Sequence, residues 1–85
     1  MKEFSYEIKD EQGIHARPAG LLVKEAKNFS SALTITKGGQ TKKLTQLMML
    51  MSLGVKKGDV VTIQADGDDE DAAIEALKAF FEQNL

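Results

Sequence analysis

Ala32-Leu33-Thr34-Ile35-Thr36-Lys37-Gly38-Gly39-Gln40-Thr41-Lys42-Lys43-Leu44 is the stretch that decides the fold class. Ala32 to Thr36 reads as a short strand, Gly38-Gly39 as a hairpin turn, and Gln40 to Leu44 as a weak, polar return strand at a sheet edge. So short a turn joins antiparallel strands only. Toward the N-terminus, the spacing predicts a helix from about Ala16 to Lys27. Its apolar set, Ala19, Leu22, Val23 and Ala26, lies on one helical face, with Phe29 just beyond. Ahead of it, Asp10 to His15 forms a loop in which Gly13 is free to take positive φ. Phe4, Tyr6 and Ile8 alternate with Ser5, Glu7 and Lys9, the pattern of a half-buried strand.

Toward the C-terminus, Thr45 is placed to cap a short helix running to about Leu53, which Gly54 ends. Lys56 to Gly58 turns the chain into a β-branched strand, Asp59 to Ala65. Gly67 breaks that strand. Asp68 or Asp69 then caps a last helix, whose early acids, Asp68 to Asp71, suit its positive end. Ile74, Leu77 and Phe81 form its inward stripe, flanked by Ala73 and Phe80. The expected order is βαββαβα. It defines an α+β open-faced β-sandwich with a four-stranded antiparallel sheet and helices on one face. A chain of 85 residues suits a single domain, residues 1–85, with one modest core.

Composition removes several function classes. A hydrophobic share of 42% argues against disorder. The absence of cysteine excludes disulfide frameworks, thiolate metal sites and a cysteine nucleophile. The apolar runs are too short to span a bilayer, and Met1-Lys2-Glu3-Phe4 opens no apolar signal region, so a cytoplasmic location is expected. The net charge of −2 hides an asymmetry. From Gly13 to Gly58 there are eight bases and one acid, Glu25; from Asp59 to Leu85 there are eight acids and one base, Lys78. One part of the surface is therefore expected to be positive and open to anionic ligands or acidic protein faces. Nucleic acid fits poorly, because the pI is acidic and no aromatic residue lies among the bases.

The residues with chemical potential cluster in Gly13-Ile14-His15-Ala16-Arg17-Pro18-Ala19-Gly20. His15 is the only histidine and directly precedes a predicted helix whose first turn accommodates Pro18. Unpaired N–H groups and positive partial charge make such a helix start a cradle for phosphate. Arg17 adds a fixed cation and a fork of donors for phosphate oxygens. Nucleophilic attack requires a neutral imidazole, the form that neighbouring positive charge favours. His15 thus has the parts of a nucleophile beside an oxyanion clamp. From the residues alone, a simple cap or surface role stays open. A metal site is not expected, for no cysteine or second histidine joins His15, and no serine-hydrolase elbow is present. Leu47-Met48-Met49-Leu50-Met51 is a second feature. Leu50 and Leu53 read as core, but a helix this short cannot bury every side. Some of Leu47, Met48 and Met51 are expected to reach the surface as an adaptable docking face.

The eight-residue segment from Gly13 to Gly20 resembles the active-site signature of the HPr family, phosphocarriers of the bacterial phosphoenolpyruvate:sugar phosphotransferase system. Met51-Ser52-Leu53-Gly54 and Val60-Val61-Thr62-Ile63 after a Lys-Gly-Asp turn resemble the same family, as do the length and element order. The resemblance implies that phosphorylated enzyme I phosphorylates His15 at Nδ1, and that His15 passes the group to IIA domains of sugar permeases. It implies that Arg17 stabilises the phosphoryl group, that Ala16 and Arg17 offer backbone N–H groups, and that Gly20, Lys24, Lys27, Leu47, Met48 and Met51 dock partners. Partners with acidic rims would give the charge asymmetry a use in steering. No cofactor, membrane insertion or nucleic acid is implied, and a monomer is expected. The chain departs from the family at Gln46, where many members carry a serine phosphorylated by a regulatory kinase, so no regulatory phosphosite is expected there. The bulky Met49 likewise stands where such members often have glycine. Two other readings remain: a carrier in a regulatory, nitrogen-related relay, and an interaction module without phosphotransfer, against which the presence of His15 weighs.

Overall fold

The structure is a computed structural model that describes residues 1–85. The elements run β1 (Lys2–Glu7), α1 (Ala16–Ala26), β2 (Ala32–Lys37), β3 (Gln40–Lys43), α2 (Leu47–Ser52), β4 (Val60–Asp66) and α3 (Glu70–Asn84), the expected βαββαβα order. The strands form one sheet in the order β1-β4-β2-β3, every neighbouring pair antiparallel. The edge position expected for the polar strand β3 is observed, since it pairs with β2 alone.

Period-two alternation sorts the two faces. In β4, Val61, Ile63 and Ala65 are fully buried while Thr62 and Gln64 face outward; in β2, Leu33 and Ile35 point in and Thr34 and Thr36 out. The inward residues join helix side chains in one cluster of 19 buried residues, including Ala19, Leu22 and Ala26 of α1 and Ala73, Leu77 and Phe81 of α3. The opposite face carries no helix-packed apolar row. It is held by cross-strand polar pairs in register: Ser5 with Thr62 at 3.0 Å, Thr36 with Thr41 at 2.8 Å, and Gln64 donating to Glu3 at 2.9 Å. Phe81 packs edge-on against Phe4 and Tyr6, with ring centroids 5.8 and 5.5 Å away, and so fastens α3 to β1.

Several local expectations are corrected. Thr45 does not cap α2; Gln46 occupies the cap position in extended conformation, without a side-chain bond, and the helix starts one residue later at Leu47. Leu44 leaves the edge strand for the core, where it is fully buried. At α3, Asp69 holds the cap position, its carbonyl accepting the Ala73 N–H at 2.9 Å, but its side chain does not bond its own helix. Its carboxylate instead accepts from the backbone N–H groups of Ser30 at 2.8 Å and Ser31 at 2.9 Å and from the Ser31 hydroxyl, three donors where a cap supplies one or two. Glu70 reaches back to the Gly67 N–H instead, at 3.1 Å. The inward stripe of α3 is Ala73, Leu77 and Phe81, while Ile74 and Phe80 are only half-buried against it. Gly54 ends α2 as expected, with φ of 61°. Lys37 then covers the freed carbonyls of Leu53 and Gly54 at 3.3 and 3.0 Å and pairs with Asp59 at 3.0 Å.

Candidate functional site

The site begins with Gly13. Its φ of 65° suits glycine, and a Cβ there would stand 2.2 Å from the Val55 carbonyl oxygen. This close approach lets the Ile14 N–H donate to that same oxygen at 3.1 Å and seats Ile14 in the core. His15 follows as the N-cap residue of α1, extended at φ −96° and ψ −176°, with no side-chain cap bond. The imidazole is therefore free of the capping role that a histidine before a helix can have. The first intrahelical bond is Ala19 N–H to the His15 carbonyl, at 2.9 Å. Pro18, buried in the first turn, has no N–H to satisfy. The N–H groups left without an acceptor in the chain are those of Ala16 and Arg17, the two expected to offer them.

A shallow recess of about 210 Å³ joins His15 and Arg17 to Asp10, Pro18, Leu21 and Asn84. His15 is 36% exposed, and its Nε2 lies 4.0 Å from Asp10 Oδ1. Asp10 is itself held in place: its carboxylate accepts the Gln12 N–H at 2.8 Å, its carbonyl the Gly13 N–H at 2.9 Å, and its N–H donates to the Leu85 oxygen at 2.9 Å. Arg17, Lys24 and Lys27 are exposed and have no carboxylate within 4.0 Å, so their charge is not neutralised within the chain. The acids at the start of α3, in contrast, are engaged. Accepted hydrogen bonds from Ser31 and Ser30 hold the Asp69 carboxyl below the usual carboxylate range, and the Gly67 N–H does the same for Glu70.

The expected docking residues fall on α1 and α2, which pack together. Lys24, Lys27, Leu47 and Met48 are exposed, Met48 at 78%. Gly20 is half-buried, and a side chain there would meet nothing within 4 Å, so glycine keeps this turn of α1 low. Met51 is half-buried against the core and reaches the surface in part, while Met49, at 40% exposure, and Leu21 add further apolar surface. Gln46 is exposed at the head of α2 and carries no phosphorylatable hydroxyl. Sequence reading missed Asp10, Leu21, Met49 and Asn84. Asp10 had a legible signal, an aspartate opening a loop that can bond the N–H two residues on. Asn84 had none, since only the packing of α3 brings it to the recess.

The family model for the PTS HPr component phosphorylation site matches residues 2–83. The phosphocarrier protein HPr of Mycoplasma capricolum is 47% identical over 78 residues, covering 92% of this chain and 88% of that protein. The crystal structure of an HPr from Thermoanaerobacter tengcongensis superposes with a TM-score of 0.94 at 46% identity, covering 98% of this chain and 93% of the other. A dimer of HPr from the same organism matches with a TM-score of 0.78, at 46% identity over 98% of this chain and 95% of the other. A likeness that spans residues 2–83 and holds in sequence and backbone alike makes this chain a member of the HPr family of phosphocarrier proteins.

Proposed function

We propose that the chain is a phosphocarrier of the phosphoenolpyruvate:sugar phosphotransferase system that takes its phosphoryl group on His15. The carrying observation is the coincidence, at the start of α1, of an uncapped imidazole, the unpaired Arg17 guanidinium and the two free N–H groups of Ala16 and Arg17. A phosphoryl group on the ring would find backbone donors and positive charge at the same helix start. In this reading phosphorylated enzyme I is the donor and IIA domains of sugar permeases are the acceptors. The protein is a covalent carrier in the relay rather than a free-standing enzyme. It needs no cofactor and works in the cytoplasm.

Partner docking is assigned to α1 and α2: Gly20, Lys24 and Lys27 with Leu47 and Met48, and the exposed edge of Met51. An apolar centre ringed by unpaired cations suits partners with an apolar depression and an acidic rim. The carrier is assigned as a monomer, with His15, Arg17 and the two N–H groups all supplied by the start of one α1. No regulatory phosphorylation is assigned, because Gln46 offers no hydroxyl. The test is incubation with phosphoenolpyruvate and enzyme I, followed by intact mass and NMR of the imidazole. The expected product is a single phosphoryl adduct on His15, stable in alkali and labile in acid. No adduct from a competent enzyme I would overturn the reading.

A further inference from the structure

Of the carboxylates in this chain, one faces the ring of His15. Asp10 Oδ1 approaches Nε2 at 4.0 Å, and the two side chains are comparably half-exposed, at 33% and 36%. No other acid lines the recess; its remaining charged group is Arg17, and Pro18, Leu21 and Asn84 are neutral. The placement of Asp10 does not depend on the histidine. Gln12 N–H, Gly13 N–H and the Leu85 oxygen fix its side chain, carbonyl and amide, while His15 N–H donates to the Gly13 carbonyl at 3.2 Å and closes the same loop on the ring. Carboxylate and imidazole are thus held by one short, internally bonded turn, pinned at its start to the end of α3 and at its end to Val55.

Resting on the phosphocarrier reading above, we propose that Asp10 is a positioning residue for His15: it keeps the ring proton on Nε2 and supplies the counter-charge when Nδ1 takes the phosphoryl group. A ring nitrogen's protonation is set by the partner of the other nitrogen, and a carboxylate beside Nε2 favours N–H there. That leaves the lone pair on Nδ1. The Nδ1 pair forms the bond to phosphorus as the donor's bond to phosphorus breaks, and the donor keeps that electron pair. No proton moves. The ring gains one positive charge, with its proton still on Nε2 facing Asp10. On transfer to an acceptor the N–P pair returns to Nδ1 and neutral imidazole leaves, a far better leaving group than imidazolate. The contact at 4.0 Å is longer than a hydrogen bond in the resting protein and shortens as the ring becomes cationic.

The experiment compares the full-length protein with Asp10→Asn. Asparagine retains an oxygen for the Gln12 N–H, so the turn is preserved and only the charge is lost. Two readouts are taken: the steady-state rate of phosphorylation by enzyme I, and the tautomer of neutral His15 from long-range 1H–15N spectra of the ring. Expected are a dominant Nε2–H tautomer in the parent, a smaller share of it in the variant, and kcat lower by on the order of fivefold at unchanged KM, the effect of one unit charge at this distance in a largely aqueous setting. Parent-like rate and tautomer in the variant would overturn the proposal. So would a slower rate with an unaltered tautomer, since Asp10 would then act only through the shape of the loop. A parent protein that accepts no phosphoryl group removes the phosphocarrier reading and this proposal together, an outcome distinct from either.

Discussion

At the scale of single residues, Gly13 shapes the loop of the candidate site and His15 is the residue to which the proposal assigns the chemistry. Gly13 makes the loop possible, because any side chain there meets the Val55 carbonyl and any L-residue resists its left-handed φ. Gly13→Ala is expected to destabilise the protein by about 2–4 kcal/mol in urea unfolding and to shift the His15 ring resonances. Stability within about 0.5 kcal/mol of the parent would show that Val55 and Lys56 yield easily to a Cβ. His15 behaves in the opposite way. It makes no side-chain hydrogen bond and sits outside the buried cluster, so His15→Ala should keep the thermal midpoint close to that of the parent while abolishing phosphoryl acceptance. Unfolding of that variant would reveal a structural role that the contacts of the imidazole do not show.

At the scale of elements, the short helix α2 is the informative case. Its one fully buried member is Leu50; Leu47, Met48 and Met49 remain exposed. A six-residue helix has too few turns to stand alone and is held by Leu50, by Gly54 behind it and by the Lys37 ammonium on the Leu53 and Gly54 carbonyls just past its end. Met48→Glu, at 78% exposure, should therefore leave folding intact. It should weaken the complex with enzyme I by roughly tenfold, through burial of a charge at an apolar contact, as measured by titration calorimetry. Unchanged affinity would remove α2 from the docking face. The Met and Leu run was legible as one apolar stretch in the sequence. Leu50 as the inward member and Leu47 and Met48 as outward ones were legible too; that Met49 is also exposed was not, because its side is set by how α2 packs on its neighbours.

At the scale of the whole molecule, the acidic part of the chain serves cohesion while the basic part stays open. Asp69 ties the start of α3 to the Ser30-Ser31 turn before β2. Asp59 meets the Lys56 N–H and the Lys37 ammonium, and Glu70 meets the Gly67 N–H and the N-terminal ammonium. These contacts hold all three carboxyls below their ordinary range. The folded form therefore prefers the ionised carboxylates. Their contribution to stability is complete above the unfolded-state values, near 4, and is lost as pH falls through the depressed folded values. Urea midpoints taken at successive pH values should be level near neutrality and decline below about pH 4. Asp69→Asn should start lower and decline less steeply; an equal slope in parent and variant would show that Asp69 is not a source of the acid sensitivity.

The element order, the antiparallel hairpin and the edge position of β3 were all determined by local sequence, which also singled out His15 and Arg17 as candidates. Turn glycines, alternation and helical periodicity act over a few residues, and the Gly13-to-Gly20 signature is contiguous. Tertiary structure decided the rest. Asp10 meets the His15 ring because the Leu85 oxygen holds its backbone, and Asn84 reaches the recess only because Phe81 packs α3 onto β1. The Asp69 carboxylate turns away from its own helix because two serines far away in the sequence offer three donors. Lys37 finds α2 and Asp59 for the same kind of reason. Such partnerships are choices between competing acceptors and donors. Their outcome depends on which groups the packed core brings within hydrogen-bonding reach, and spacing along the chain does not encode that distance.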